Sequence, residues 1–213
     1  MIPPLVLQQI APLGHVRLAA NMANASIVRE TAPGQYAGPV ADLATRLAGL
    51  LGLAVRIVPF ASGGAILADP EAWDMAVLAV DPARTQLRYI HEVTRVSATL
   101  AGRSDGLPGT CAEADRPGIR IATARGAAYG NHLLAGLVHA EVVSFDTPAA
   151  AREAMLSGQC DFVAGIRTTL QDSLAQHPGT RLMPDDFLTV SQALALPTEH
   201  TEAAVFFDKI LSP

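Results

Sequence analysis

Residues 38–59 read GPVADLATRLAGLLGLAVRIVP, and this stretch decides the fold class. Pro39 suits the first helical position, where its missing N–H costs nothing. Apolar residues then recur at helical spacing from Val40 to Leu51, and Gly52 is typical of a helix C-cap. The apolar run 53–58 that follows predicts a β-strand. A helix leading directly into a strand is the repeating element of an α/β protein.

The same alternation of strands and helices extends to both sides of this stretch. Further strands are predicted at 15–20, 75–80, 119–124, 141–144 and 162–165, and further helices at 127–138 and 147–157. The chain therefore contains two successive β-α-β-α-β units, roughly residues 15–80 and 119–165. This order predicts two Rossmann-like lobes with mainly parallel sheets and right-handed crossovers.

Two extended segments fit neither repeat, and we interpret them as crossovers that join the lobes. They are residues 95–103 and 188–196, each following one of the units. A final amphipathic helix, 202–211, is expected to pack back on the first lobe. The predicted domains are accordingly 1–98 plus 190–213 for lobe 1 and 99–189 for lobe 2, with a ligand cleft between them.

Composition excludes several classes of protein. Of the 213 residues, 50% are apolar and 16% charged, with a formal net charge of −5 and no basic stripe, which argues against nucleic-acid binding. Apolar runs are too short for membrane insertion. Residues 1–14 lack the features of a secretory signal, so we expect a periplasmic protein if a signal has been removed and a cytoplasmic one otherwise. Cys111 and Cys160 are expected to be buried free thiols, although a single bridge is possible in an exported protein.

Four stretches, in order along the chain, resemble the family 3 extracellular solute-binding proteins, the amino-acid-binding subunits of ABC transporters. They are GPVADLA (38–44), LGLAVRIVP (51–59), WDMAVLAVDPAR (73–84) and RIATARGAAY (120–129). The resemblance implies a type II periplasmic binding fold that closes on a small ligand, with an ABC transporter permease as a possible partner. It implies no cofactor and no metal.

The resemblance also implies where the ligand binds. Arg84, which ends the third stretch after the strand that includes Ala79, corresponds to the family's carboxylate anchor, and a guanidinium fork suits a carboxylate. A surface Arg paired with Asp81 is the alternative. The other candidate ligand-binding residues lie after the first two strands (Asn21, Asn24, Phe60, Ser62) and in the turn after the fourth stretch's strand (Gly126, Ala127, Ala128, Tyr129).

One departure from the family bears on the ligand. Ile166 and Arg167 stand where the family usually has an acid that binds the α-ammonium group of an amino acid. A buried ammonium without a partner would cost several kcal/mol. We therefore expect a carboxylate without an amine, or a dicarboxylate bound by Arg84 and Arg167 together.

Catalysis is the alternative to solute binding. Some relatives of this fold are dehydratases, and the acids that could serve such a reaction are Glu30, Asp81 and Asp161. The six histidines form no metal-binding motif. A cytoplasmic enzyme or a ligand sensor derived from the same fold thus stays open beside a transport-associated binding protein.

Overall fold

The computed structural model describes residues 2–211, which divide into two compact units. Unit 1 holds the described residues up to Arg95 and from Ser191 onward, and unit 2 is Val96–Val190. The boundaries predicted from the sequence lie one to three residues from these positions. The chain passes from one unit to the other twice, once within each of two long strands.

The secondary structure follows the alternating pattern. In chain order the elements are α1 (Pro4–Ile10), β1 (Val16–Asn21), β2 (Arg29–Ala32), β3 (Gln35–Ala37), α2 (Pro39–Leu51), β4 (Val55–Phe60), α3 (Gly63–Ala68), β5 (Met75–Ala79), β6 (Leu87–Arg103), β7 (Arg120–Ala124), α4 (Ala128–Gly136), β8 (Glu141–Phe145), α5 (Pro148–Leu156), β9 (Phe162–Ile166), α6 (Arg167–Leu174), β10 (Thr180–Leu182), β11 (Leu188–Pro197) and α7 (Thr201–Leu211). Two short 3₁₀ turns, Pro70–Ala72 and Ala112–Ala114, complete the list.

The sheet of unit 1 has the order β4–β1–β5–β11. Strand β1 runs parallel to both β4 and β5, and Asn21 at its end is in register with Phe60 at the end of β4. Strand β11 pairs with β5 in the antiparallel direction. The carboxyl ends of β1, β4 and β5 therefore meet at one edge of the sheet, which is where ligands bind in open parallel sheets.

Helix α2 forms as its sequence predicts. Val40, Leu43 and Leu47 are buried on one face, and Gly52 adopts the left-handed conformation at φ 63° that ends the helix. Gly38 precedes the helix at φ 106°, where an added Cβ would lie 2.9 Å from the carbonyl oxygen of Ile27. Glycine is therefore required at position 38 for both its conformation and its close packing.

The sheet of unit 2 has the order β6–β9–β7–β8, with β10 antiparallel to β6. Strand β7 is parallel to β8 and β9, whereas β6 is antiparallel to β9. The hydroxyl of Thr147 accepts a hydrogen bond from the Ala150 N–H and caps α5. Cys111 and Cys160 are free and buried in this unit, as expected.

Several elements were missing from the prediction. Helices α1, α3 and α6, the β2–β3 hairpin and strand β10 were not predicted, and β6 begins eight residues before the extended segment that the sequence indicated at 95 (95 − 87 = 8). Helix α7 packs against α1 within unit 1, where the side chain of Gln9 accepts a hydrogen bond from the Ala203 N–H. None of the helices in the described part of the chain has the length and hydropathy needed to cross a membrane.

Candidate functional site

Arg84 lies in the turn that follows the carboxyl end of β5, and the residue is 6% exposed. Its Nη1 donates a hydrogen bond of 2.9 Å to the carbonyl oxygen of Ala79, the last residue of the strand. The hydroxyl of Tyr89 donates to the same carbonyl, also at 2.9 Å. The alternative of a solvent-exposed surface arginine is therefore wrong, although the pairing with Asp81 is present.

Asp81 stabilises the charge of this buried arginine. Its Oδ2 lies 3.7 Å from Arg84 Nε, while its Oδ1 accepts a hydrogen bond of 3.0 Å from the Ala83 N–H. Both side chains are almost fully buried. Burial also raises the pKa of Tyr89 above its usual range, and the nearby Arg84 charge opposes that rise. The Ala79 carbonyl, the Tyr89 hydroxyl and the Asp81 carboxylate thus form a network that holds the guanidinium near the end of the strand.

Gly63, the first residue of α3, lies close to side chains that follow β1 and β5. A Cβ placed on it would lie 3.8 Å from Asn21 Nδ2 and 3.9 Å from Arg84 Nη2. Two nitrogen donors therefore approach the same glycine, one from the end of β1 and one from the turn after β5. Sequence reasoning did not select Gly63 or Tyr89 as functional residues. The position of Ser62 and Gly63 directly after a strand is the feature of the sequence that could have indicated Gly63.

The remaining candidates in unit 1 have structural roles in addition to any contact with a ligand. Ser62 is buried, and its hydroxyl caps α3 by accepting from the Ala65 N–H at 3.1 Å. Phe60 packs against the buried cluster that contains Ile66. Asn24 is 4% exposed, and its side-chain oxygen accepts a hydrogen bond from the Ser26 N–H.

The turn before α4 carries the candidates of unit 2. Gly126 adopts φ 70°, a conformation that favours glycine, and Ala127 begins the helix without a side-chain cap. Tyr129 is buried, which raises the pKa of its phenol to about 12. Arg125 points outward and pairs with Asp146, both largely exposed. Only backbone groups are thus offered by residues 126–128.

Arg167 is committed to one loop of unit 2. Its Nε donates to Asp186 at 2.6 Å, and its Nη2 donates to the carbonyl oxygens of Met183 and Asp185 at 3.1 and 2.6 Å. These contacts assign it a structural role, and its use as a second carboxylate anchor stays a prediction. Ile166 is buried and precedes α6. The position that corresponds to the family's acid is therefore apolar.

The acids considered for catalysis also have local partners. Glu30 accepts from the Gly34 N–H in the β2–β3 hairpin, and Asp161 accepts from the Arg120 N–H at 2.8 Å. Within the described residues, no three His, Cys, Asp or Glu side chains lie together as a metal site would require.

Comparison with solved structures identifies the fold. An arginine-bound mutant of ArgBP from T. maritima shares 18% identity and a TM-score of 0.77, with 96% of this chain and 98% of that chain covered. The B. pertussis BvgS periplasmic domain gives 23% identity and a TM-score of 0.80, covering 99% of this chain and 42% of that chain. The ancestral amino acid-binding protein AncCDT-1, a precursor of cyclohexadienyl dehydratase, gives 20% and 0.74, covering 96% and 91%. The sequence matches no protein-family model and no curated protein.

The chain has the type II periplasmic-binding-protein fold, also called the Venus flytrap fold. The sequence resemblance to family 3 solute-binding proteins is thereby confirmed at the level of the fold. The predicted fold class is confirmed as well, since each unit contains a largely parallel sheet with helices.

Proposed function

We propose that this protein binds a small solute through a carboxylate that Arg84 anchors. The observation that carries the proposal is the position of the guanidinium. It is buried at the edge where β1, β4 and β5 end, beside Asn21 and Gly63. A planar cation held in this way suits a carboxylate, because two parallel charge-assisted hydrogen bonds form without the cost of ordering a flexible side chain.

The surroundings of Arg84 favour binding over a purely structural role. Asp81 is 3.7 Å from Arg84 Nε, which is long for a hydrogen bond but short enough for Coulomb attraction. The pair keeps the buried cation stable in the ligand-free protein. An incoming carboxylate would add charge-assisted hydrogen bonds to this guanidinium.

We propose an acid without an α-amino group as the preferred ligand. In unit 2 an isoleucine and a structurally committed arginine occupy positions 166 and 167, and neither side chain accepts a hydrogen bond from an ammonium group. The ArgBP mutant is bound to arginine, so the prediction separates this chain from that structural neighbour.

We further propose that binding closes the two units on the ligand, since contacts from both are then satisfied together and the closed state gains population. Transport is the biological role that this mechanism supports, with an ABC permease as partner and the periplasm as compartment. A ligand sensor or a dehydratase-like enzyme on the same fold is the alternative. The likeness to a precursor of cyclohexadienyl dehydratase keeps the enzyme in consideration.

A thermal-shift screen tests the proposal. The ligands are amine-free monocarboxylates, dicarboxylates and aromatic acids, each beside the α-amino acid of matching side chain. A ligand present at 100 times its dissociation constant adds about 2.7 kcal/mol to the free energy of unfolding, which is readily measured. We expect amine-free acids to raise Tm more than their amino-acid counterparts, and Arg84→Ala to abolish the increase.

Two outcomes would overturn parts of this proposal. Equal Tm increases in the wild type and in Arg84→Ala would remove Arg84 as the anchor. Selective binding of a simple α-amino acid would refute the argument from position 166. Proton NMR of each stabilising acid, incubated with the protein, distinguishes a binding protein, which leaves the acid intact, from an enzyme, which consumes it.

A further inference from the structure

Unit 2 contains a pocket of about 330 Å³ that none of the predicted ligand-binding residues lines. It lies between strands β6 and β7, helix α4 and the loop that carries Asp185, Asp186 and Phe187. All of its lining residues belong to unit 2. The pocket is therefore distinct from the Arg84 site, which is built from unit 1.

The inner wall of the pocket is apolar. Leu100, Ile121 and Leu133 line it and are each at most 5% exposed. At the outer side the rings of His132 and Phe187 stack nearly parallel, with centroids 6.1 Å apart and an interplanar angle of 19°. Small-molecule sites are commonly concave and apolar in this way, and this volume is at the lower end of their range. A single ring or a short alkyl chain matches it.

The two carboxylates among the lining residues give the pocket an acidic character. Asp185 and Asp186 line it, and no lysine or arginine is among the described lining residues. Asp186 is paired with Arg167, which offsets its charge. The Asp185 carboxylate accepts from the backbone N–H of Cys111 at 2.9 and 3.1 Å, and it enters none of the ion pairs found in the described residues. One carboxylate charge is thus not balanced at an otherwise apolar pocket.

We propose that this pocket is a second binding site, for a small amphipathic amine. The apolar part of the amine would pack on Leu100, Ile121 and Leu133, and its ammonium group would meet the Asp185 carboxylate. A cation is favoured because it supplies the charge that the pocket lacks, whereas an anion would be repelled by Asp185. This site would bind a ligand of opposite charge to the one proposed for Arg84, and it lies in unit 2 rather than unit 1.

Three probes of the same shape test the charge preference. They are 2-phenylethylamine, 2-phenylethanol and 3-phenylpropanoate, titrated into the protein while the methyl resonances of Leu100, Ile121 and Leu133 are followed by NMR. We expect the amine to shift these resonances saturably and to bind about tenfold more tightly than the alcohol, as one hydrogen bond to a charged group implies. The anion should leave them unchanged.

Gly136 allows the pocket to be blocked without disturbing the fold. It lines the pocket at the end of α4, and an added Cβ there meets no atom within 4 Å. Gly136→Leu should therefore fold normally and weaken amine binding at least about tenfold. Gly179→Leu is the matched control, because Gly179 is equally open but lies outside the pocket.

Arg84→Ala separates this proposal from the carboxylate site and should leave amine binding unchanged. The second site would be refuted by any of three results. These are unsaturable methyl shifts, equal affinity for all three probes, and a loss of affinity in Gly179→Leu that matches the loss in Gly136→Leu.

Discussion

The first turns of helices α3 and α4 differ in what surrounds their glycines. In unit 1, Gly63 lies beside the nitrogen donors of Asn21 and Arg84, with space for a Cβ. In unit 2, Gly130 in the first turn of α4 packs so closely on Thr123 that a Cβ would lie 2.4 Å from its hydroxyl oxygen. Gly63 leaves space beside polar groups, whereas Gly130 allows helix α4 to pack closely on strand β7.

The two arginines that were expected to bind carboxylates differ in the same sense. Arg84 donates to the carbonyl oxygen of Ala79 at the end of its own strand, while Arg167 donates to carbonyl oxygens and to Asp186 in a loop of unit 2. The carboxylate site proposed for Arg84 therefore draws on side chains of unit 1. Unit 2 uses its arginine and its glycine to hold its own structure together. The predictions below test this division, in order of the expected change in stability.

The largest change is expected from Gly130→Ala. The added methyl group would overlap the buried Thr123 side chain, and overpacking of this kind costs about 3 kcal/mol. Urea denaturation measures the loss. Thr123→Ala should restore much of the stability in the double variant, because it removes the atoms at 2.4 and 3.1 Å. Additive losses in the double variant would show that the two residues are not in tight contact.

Tyr129 predicts a loss of stability at high pH. Its pKa is raised from 10 to about 12 in the folded protein because the phenol is buried. Below pH 10 both states keep the phenolic proton, but between pH 10 and 12 only the unfolded state loses it. The free energy of unfolding therefore falls as pH rises through this window, by up to about 3 kcal/mol. In Tyr129→Phe this part of the decline should be absent, and an identical pH profile in the variant would contradict the assignment.

Arg167→Met is expected to cost about 2 kcal/mol, because it leaves the carbonyl oxygens of Met183 and Asp185 without a charged donor. If Arg167 acts only within unit 2, the affinity for a carboxylate anchored at Arg84 should change by less than about twofold. Isothermal titration calorimetry measures the affinity and urea denaturation the stability. A large loss of affinity with little loss of stability would make Arg167 a ligand-binding residue after all.

The elements that were predicted correctly have strong local patterns. Helix α2 spans thirteen residues with an apolar face and a terminal glycine, so its periodicity is clear from the sequence alone. Helix α3 has six residues and α6 has eight, which is too short for a periodic pattern to stand out. Arginine roles depend on distant partners. Arg167 contacts Thr99, which is 68 residues away, and no local pattern indicates such a contact.

The order of elements alone placed Arg84 correctly at the end of a buried strand. Its near neighbours were harder to predict, because Tyr89 lies in the first part of β6, where polar residues interrupt the apolar pattern. Asn24 is buried with a hydrogen bond inside its own turn, and its contact with a ligand stays a prediction. Strand order therefore indicates which residues lie at the end of a strand but not which side chains surround them.

The smallest change in stability, and the sharpest test of the comparison, is expected from Gly63→Ala. Its Cβ would be 3.5 Å from Leu78 Cδ2 and at ordinary contact distance from Asn21 and Arg84, so the fold accepts it. Loss of glycine's freedom in the unfolded chain should raise stability by about 0.5 kcal/mol. Gly49→Ala in α2, where a Cβ meets nothing within 4 Å, should give a similar gain and is the matched control.

Binding distinguishes these two equally stable variants. If the ligand carboxylate occupies the space between Asn21 and Arg84, the methyl group of Gly63→Ala displaces it and affinity falls at least about tenfold. Gly49→Ala, on the outside of α2, should bind as the wild type does. Because neither variant is expected to lose stability, calorimetric titration reports the site alone. Unchanged affinity in Gly63→Ala would place the carboxylate elsewhere and leave Arg84 with the same structural role as Arg167.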